Sequence, residues 1–405
     1  MSVMGKNTAV LLFVVVSSVL LTSCWDRHEL NDLAIVDMIG LDKQGDDFII
    51  SLQIIDPAEA TAGEGARSRG DAPVTNFTGH GRTVSEAMAA TTSRIPRRIY
   101  LSHLRMVIIG EALAREGIAD FVDFISRERE FRADYYFAVV KGKEAREMMS
   151  ILTPIESIPA RKLYKTIITS HLLPGANVKV EIDDLIASIA KEEKQLVLPT
   201  IKIEGDIEQG SKTSNLKSTQ PMARIPLDGI AVFKKDKLVG WLTKAETISY
   251  NYIVNNIVHS LQTLPCEDNK QKQMSIFIIR SKTKTKVSQA NGKPQIKLTI
   301  FSEAMIEDVQ CQEDLLNNEV IKRIEEKLET AGKAQIQHTL KKVQKQLKTD
   351  IFGMGKAIHR GEPKLWGQIK EEWQQIFVNT PIEVNVDVKI RRTGTISQTP
   401  IEPLD

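Results

Sequence analysis

The stretch Asp47–Ile55, DFIISLQII, is rich in β-branched and aromatic residues, and this composition predicts a strand. A second run of the same kind follows at Leu104–Gly110, LRMVIIG. Between the two runs Val84, Met88 and Ile95 recur near helical spacing and predict a helix. Strands that alternate with helices along a chain indicate an α/β layer structure.

The alternation continues toward the C-terminus of this region. A helix is predicted after Gly117, a strand over Asp134–Gly142, and another strand over Lys194–Ile203. The fold class expected from the sequence is therefore α/β, in the mixed α+β sense, with helices packed on mixed or mostly antiparallel sheets.

The chain is long for one hydrophobic core, because 405 residues correspond to two or three domains. The polar stretch 206–221 predicts the main linker, and the stretch 57–75, rich in Gly, Ala and Pro, predicts a mobile loop. We therefore expect an α/β region over residues 24–205, as one domain or two subdomains. A C-terminal α/β domain over residues 222–393 and a tail over residues 394–405 complete the expected organisation.

Two patterns organise the expected C-terminal domain. Apolar runs flank Lys234–Lys237 and predict a hairpin. From Val320 onward, apolar residues repeat every three to five positions and predict a long helix over about residues 313–352. Gly332 is expected to kink or break this helix, and Gly353 is expected to end it.

The first 23 residues have the pattern of a signal peptide, with Lys6 before an apolar run of about a dozen residues. The run ends at Leu21-Thr22-Ser23-Cys24, which resembles the lipobox of bacterial lipoproteins. In such proteins the cysteine receives a diacylglycerol and an N-acyl lipid, such as palmitate, and becomes the new N-terminus. The thiolate is a suitable nucleophile for lipidation, and more than one acyl chain holds a protein stably on a bilayer. The alternatives are an ordinary cleaved signal with an unmodified cysteine, and an uncleaved N-terminal anchor.

A lipid on Cys24 brings the next residues to the membrane surface. Trp25, Asp26, Arg27 and Glu29 are the candidate contacts with the membrane or with loops of a partner protein. A solvated spacer is an equally good interpretation of the same residues.

The sequence does not contain the common catalytic and metal-binding motifs. The sequence has no His-Glu-x-x-His, no Cys-x-x-Cys and no Gly-x-Ser-x-Gly. The formal net charge is +2, and we find no basic stripe interleaved with aromatic residues, so a nucleic-acid partner is not expected. We expect no enzymatic activity, no metal and no cofactor besides the lipid on Cys24. Cys266 and Cys311 are either disulfide-bonded or two buried thiols.

Several separate segments of the chain together match the pattern of one known protein family. The first is Cys24-Trp25-Asp26-Arg27, followed by Glu29-Leu30-Asn31. The second is Ser93–Ile118, and its positions that match the family motif, without an assigned role, are Arg97, Tyr100, His103, Gly110 and Glu111. Gly229–Leu242 is similar to a hairpin of that family, and Asp350–Gly355 and Pro363–Phe377 are similar to its C-terminal part. Together these segments resemble the Ger(x)C lipoprotein family of spore germination.

The resemblance implies the C subunit of a nutrient-germinant receptor, a non-catalytic lipoprotein with a three-domain α/β fold. The implied partners are the membrane A and B subunits and the lipid bilayer, at the outer face of the spore inner membrane or of the cell membrane. The B subunit is the implied place for nutrients to bind. The alternative is a lipid-anchored solute-binding protein, which requires a cleft with convergent polar groups. A lipid-anchored cell-wall hydrolase needs two positioned carboxylates or a metal, and no motif supplies either.

Overall fold

A computed structural model describes residues 32–56, 72–128, 130–172, 175–267 and 269–392. The predicted signal peptide, Cys24, most of the predicted loop at 57–75 and the predicted tail lie outside these ranges. The strands are, in chain order, β1 (Leu33–Gln44), β2 (Asp47–Ile55), β3 (Val74–Gly81), β4 (Arg98–Tyr100), β5 (Met106–Gly110), β6 (Tyr136–Val140), β7 (Val197–Ile201), β8 (Glu204–Gly205), β9 (Ala223–Arg224), β10 (Leu227–Lys234), β11 (Lys237–Leu242), β12 (Ser260–Pro265), β13 (Gln273–Ala290), β14 (Lys293–Val309) and β15 (Ile382–Arg392).

The α-helices are α1 (Val84–Thr92), α2 (Glu111–Glu116), α3 (Ala119–Arg127), α4 (Ala145–Met149), α5 (Pro159–Leu172), α6 (Ile182–Ala190), α7 (Ile207–Gly210), α8 (Ser214–Lys217), α9 (Lys244–Ile253), α10 (Asn318–Lys342), α11 (Met354–Gly361), α12 (Pro363–Ile369) and α13 (Trp373–Phe377). A π-helical turn, Val343–Leu347, continues α10, and a 3₁₀ turn, Lys370–Glu372, precedes α13.

The first sheet has nine strands in the order β11-β10-β7-β6-β5-β1-β2-β3, with β4 paired to β1. The four central strands, β1, β5, β6 and β7, are parallel to one another. The strands at both ends of the sheet pair in antiparallel fashion. Every residue of β5, β6 and β7 is buried, as expected for parallel strands covered by helices on both faces. The predicted mixed α/β class is confirmed.

Two layers of helices cover the first sheet. On one face α4 and α5 bury Met38, Ile108 and Val140. On the other face, side chains of α1, α2, α3, α6 and α9 share a core with the C-terminal helices α11, α12 and α13. The same core contains Ile296, Leu298 and Ile300 of β14, so the C-terminal helices belong to a core that both sheets share.

The second sheet has four strands in the order β12-β13-β14-β15, and β14 and β15 are parallel. The N-terminal half of α10 packs on one face of this sheet through Val320, Ile324 and Leu328. Cys266 and Cys311 belong to the same cluster and form a disulfide with a Cα–Cα distance of 5.9 Å. Of the two states that the sequence allowed for these cysteines, the structure has the disulfide.

The predicted linker at residues 206–221 contains two short helices, α7 and α8, and is held in place by a buried asparagine. Asn215 is 0% exposed, and its Nδ2 donates to Leu152 O at 2.7 Å and to Ala223 O at 3.2 Å. Its Oδ1 accepts a hydrogen bond from Met222 N at 2.7 Å. The polar composition of this stretch reflects turns whose backbone groups form hydrogen bonds within the fold.

The hairpin around Lys234–Lys237 is confirmed, but it lies in the first sheet and not in a separate C-terminal domain. Strand β10 pairs with β7, with Ile230 opposite Pro199 and Val232 opposite Val197. Pairing between distant strands depends on tertiary packing, which the local pattern does not contain.

The long helix is shorter at both ends than the predicted range of 313–352. Asn317 caps α10 by accepting a hydrogen bond from Glu319 N at 2.9 Å, and the helical chain ends at Lys348, whose φ is 52°. Gly332 does not interrupt α10, and Gly353 precedes α11 with a φ of 77° instead of ending α10. Helix α10 also continues into the larger core, which contains residues of both sheets and in which Ile336 is buried.

Candidate functional site

The motif segment from Arg97 to Glu111 passes along β4, a turn and β5, so its residues occupy two places. Strand β4 is parallel to β1, with Arg98 opposite Leu33 and Tyr100 opposite Ile35. The first half of the motif therefore lies beside the first described residues of the chain. This is the point where the N-terminal segment that carries Cys24 joins the folded body.

Tyr100 and His103 lie side by side on the turn that follows β4. Their ring centroids are 5.6 Å apart, and His103 and Arg97 are exposed while Tyr100 is half-buried. The turn is fixed by a hydrogen bond from Arg105 N to Asp37 O at 2.9 Å. The structure therefore presents Arg97, Tyr100 and His103 on the surface around β4 and the turn that follows it.

A buried acid supports this turn from below. Asp37, 1% exposed, lies 3.3 Å from the Nε of Arg161. Burial raises the pKa of Asp37 to about 6, although Arg161 and Arg105 act in the opposite direction. Arg105 also donates to Asp134 at 2.9 Å. The network links the turn to β1 and α5.

Gly110 and Glu111 lie at the C-terminal end of β5. At the usual rise of a strand, Gly110 is about 13 Å from Met106, where β5 begins. A Cβ on Gly110 would come within 2.1 Å of Asp42 Oδ1, so only glycine fits there without displacing that carboxylate. Asp42 accepts hydrogen bonds from Ala145 N at 2.7 Å and Arg146 N at 3.0 Å, and so caps α4. Glu111 accepts a hydrogen bond from Gly142 N at 2.6 Å.

The carboxyl ends of β1, β5 and β6 meet at this point, where sheets of this type commonly bind ligands. Here the carboxylate of Asp42 already occupies the N-terminus of α4. Burial raises the pKa of Asp42 to about 6, against the effect of the two backbone donors. The second half of the motif is therefore an internal junction that joins the loops after β5 and β6.

A second buried carboxylate organises the C-terminal segment that resembles the family. Asp350 is 0% exposed and accepts hydrogen bonds from Phe352 N and Gly353 N at 3.0 Å, and from Gly355 N at 2.8 Å. The Nε1 of Trp373 donates a fourth bond at 3.0 Å. Burial raises the pKa of Asp350, and these donors oppose the shift. Asp350 thus fixes the start of α11 against α13.

Comparison with known families agrees with these two regions. Residues 26–203 match the model of a spore germination protein N-terminal domain, and residues 228–394 match that of a spore germination B3/GerAC-like C-terminal domain. Spore germination protein KC of Bacillus subtilis (strain 168) is 32% identical, over 96% of this chain and 97% of that protein. The chain belongs to the GerAC-like family of spore germination proteins. The resemblance predicted from the sequence is confirmed.

Other members of the family match over nearly their whole length. Spore germination protein B3 of Bacillus subtilis (strain 168) is 24% identical, over 93% of this chain and 96% of that protein. The crystal structure of the GerBC protein has a TM-score of 0.56 and 21% identity, and the match covers 87% of this chain and 96% of that chain. That likeness shows the fold.

The remaining predicted site residues, Cys24, Trp25, Asp26, Arg27 and Glu29, lie outside the described residues. Within the described part of the chain, no three His, Cys, Asp or Glu side chains are grouped so that they could hold a metal ion. In the same ranges, no helix combines the length and the apolar character needed to cross a membrane.

Sequence reasoning missed the buried acids that organise this GerAC-like fold. Asp37 and Asp42 interrupt the apolar run of β1, LAIVDMIGLDKQ, and Asp350 directly precedes an apolar pair. An acid inside an apolar run was the available signal, because a carboxylate is buried only where donors surround it.

Proposed function

We propose that this chain is the lipid-anchored, non-catalytic C subunit of a nutrient-germinant receptor, acting with membrane A and B subunits at the outer face of the spore inner membrane. The observation that carries the proposal is the match to spore germination proteins over nearly the whole chain, together with the lipobox-like Leu21-Thr22-Ser23-Cys24. Diacylglycerol on Cys24 provides the anchor, and no other cofactor is involved.

The tether limits the distance between the bilayer and the turn that follows β4 and carries His103. Nine peptide links join Cys24 to Leu33, so the start of β1 stays within about 30 Å of the lipid. Since β4 pairs with the start of β1, Arg97, Tyr100 and His103 remain near the membrane, where the loops of the partner subunits are found. A tether raises the local concentration, so a modest contact at this turn is sufficient for assembly.

In this assembly the chain acts mechanically. Trp25, Asp26, Arg27 and Glu29 lie at the membrane surface next to the same turn and add contacts with the partners. Nutrient binding to the membrane subunits then shifts the assembly between two states, to the extent that the states differ in affinity for the nutrient.

Replacing the lipidated residue tests this proposal. We expect Cys24→Ala to give an unprocessed or mislocalised precursor and slow germination with nutrient. Mass spectrometry and fractionation of spore membranes measure the processing, and a pull-down of the tagged wild-type chain from spore membranes should recover the A and B subunits. Normal germination in a strain whose variant is shown to be unlipidated would contradict the essential tether.

One cleft favours the alternative of a solute-binding protein. It measures about 500 Å³ and lies between α6, α9 and the start of α11. Lys194 lies on its wall with its Nζ 5.8 Å from the centroid of the Tyr250 ring, and Asp184, Lys191 and Lys356 line its sides. Calorimetry of the unlipidated mature chain against amino acids and sugars tests this function, and tight saturable binding would favour it over the receptor-subunit role.

A further inference from the structure

The outer face of the second sheet is rich in exposed cations. Arg280, Lys282, Lys284 and Lys286 alternate along β13 and are exposed. Alternate residues of a strand point to one face. The intervening Thr283 points to the other face, where its Oγ1 donates to Tyr252 O of α9 at 2.5 Å. In the described ranges, helices therefore cover the inner face of this strand and leave the row of cations exposed.

Two acids on this outer face, Glu303 and Glu383, have basic partners. Glu303 pairs with Arg280 and with Arg391, and the contact to Arg391 is 3.1 Å. Glu383 on β15 pairs with Lys297 at 2.8 Å. In this part of the described chain these pairs leave the lysine row, Lys282, Lys284 and Lys286, without an ion pair to another described residue.

The lysine row adjoins exposed apolar side chains. Phe301, 38% exposed, lies opposite Lys282 in the register of β13 and β14. The Nζ of Lys284 is 5.2 Å from the centroid of its ring. At the other edge of the sheet, Leu261 on β12 is 49% exposed and lies opposite Phe277. A surface with regularly spaced ammonium groups next to exposed apolar groups suits the interface between lipid headgroups and acyl chains.

We propose that the lysine row, with Phe301, is a contact surface for the anionic headgroups of a phospholipid bilayer. Neighbouring lysines of the row are about 7 Å apart, at the spacing of alternate strand residues. Lysine is a flexible point charge and does not impose the bidentate geometry with which arginine fixes a carboxylate, so the row fits a fluid layer of phosphates better than one acidic peptide. The proposed tether would bring this face to the membrane, but the affinity of the face does not depend on the tether.

The test uses the full mature chain with Cys24→Ser, which cannot be lipidated. Its sedimentation with vesicles of phosphatidylcholine alone is compared with vesicles that also contain phosphatidylglycerol, at low and high salt. We expect binding to the anionic vesicles only, and weaker binding at high salt. Each basic residue near an anionic surface strengthens binding about fivefold, so the loss of three lysines alone should weaken binding about 100-fold. The triple variant Lys282→Glu, Lys284→Glu and Lys286→Glu also adds three negative charges, so it should bind more than about 100-fold more weakly.

A matched control separates this face from the net charge of the chain. Lys217→Glu, Lys341→Glu and Lys364→Glu make the same change in net charge at exposed positions on α8, α10 and α12. This control should lose much less binding than the lysine-row variant, because it makes the same change in net charge and leaves the lysine row intact. If the glutamate triple variant fails to fold, judged by circular dichroism, the corresponding glutamine variant replaces it.

Three results would overturn the assignment. They are a parent chain that does not bind anionic vesicles at low salt, equal losses in the lysine-row variant and the control, and crosslinking of the lysine row to a receptor subunit instead of to lipid. Because the tested chain has no lipid, failure here leaves the proposed receptor function intact. Conversely, an unmodified Cys24 in spores would count against the tether alone.

Discussion

In the first sheet the carboxylates of Asp37 and Asp42 are buried and bound by neighbouring groups, whereas in the second sheet the ammonium groups of the lysine row point into solvent. The first sheet is covered on both faces, so each polar group inside it needs a partner within the fold. The second sheet has an open face that can keep charges available for other molecules. The difference separates a region that maintains the fold from a region that is free to make contacts.

The largest expected effect tests whether the buried acids maintain the fold. Asp350→Ala should lower the free energy of unfolding by about 5 kcal/mol, because it leaves four buried donors without an acceptor. Urea denaturation followed by circular dichroism measures the loss. The control is Trp373→Phe, which removes one donor and keeps most of the packing, and should cost clearly less. Equal stability of Asp350→Ala and the wild type would show that Asp350 does not organise this junction.

The next effect should be confined to the second sheet. Replacing both Cys266 and Cys311 by Ser opens a loop with a sequence separation of 45 residues. For a loop of that length the expected loss of stability is about 3 to 4 kcal/mol. Hydrogen exchange should show the loss in β12–β15 and in the first half of α10, with little change in β5 and β6. Uniform loss of protection in both sheets would contradict the distinction between the two regions.

The smallest of the three effects concerns the pH dependence of the first sheet. The folded pKa of Asp37 is about 6, above its ordinary value of 3.8, so between these pH values the folded state binds more protons than the unfolded state. For Asp37 alone, stability should therefore fall by up to about 3 kcal/mol as the pH rises from 4 to 6. Asp42 has the same raised pKa and adds a fall of similar size, so Asp37→Asn should remove about half of the pH dependence, measured from urea midpoints at several pH values.

The control for this titration is Asp134→Asn, which changes an exposed acid that contacts the same arginine, Arg105. Its pH profile should follow that of the wild type. Two outcomes would exclude the titration of Asp37 as the cause. One is a wild-type stability that rises between pH 4 and 6. The other is an Asp37→Asn profile with the same shape as that of the wild type.

Local patterns in the sequence predicted the local parts of this fold. The turn at Lys234–Lys237 and the stripe that begins at Val320 depend on neighbouring residues, and both are found in the structure. The family could also be recognised from the sequence, because the residues of each motif lie close together in the chain. These features need no information about which distant segments meet.

The parts that were missed depend on distant contacts. Residues 206–221 have a linker-like composition, but the amide of Asn215 satisfies backbone groups on both sides of the stretch. The pairing of β10 with β7 and the roles of Gly110 and Asp42 arise only when separate segments meet in space. No local periodicity contains that information, so the boundary of the first sheet and its internal junctions needed the structure.

Helix α10 has a mechanical consequence, because its two halves belong to different hydrophobic cores. Leu328 packs in a core that belongs to the second sheet alone, whereas Ile336 and Leu340 pack in the larger core, which contains residues of both sheets. The helix has 25 residues, and a rod of that size is about 37 Å long. If the sheet that bears the lysine row tilted against a bilayer, α10 would turn with it. The turn would strain the buried contacts at the C-terminal end of the helix. A torque at the lipid surface would therefore reach the interior of the molecule.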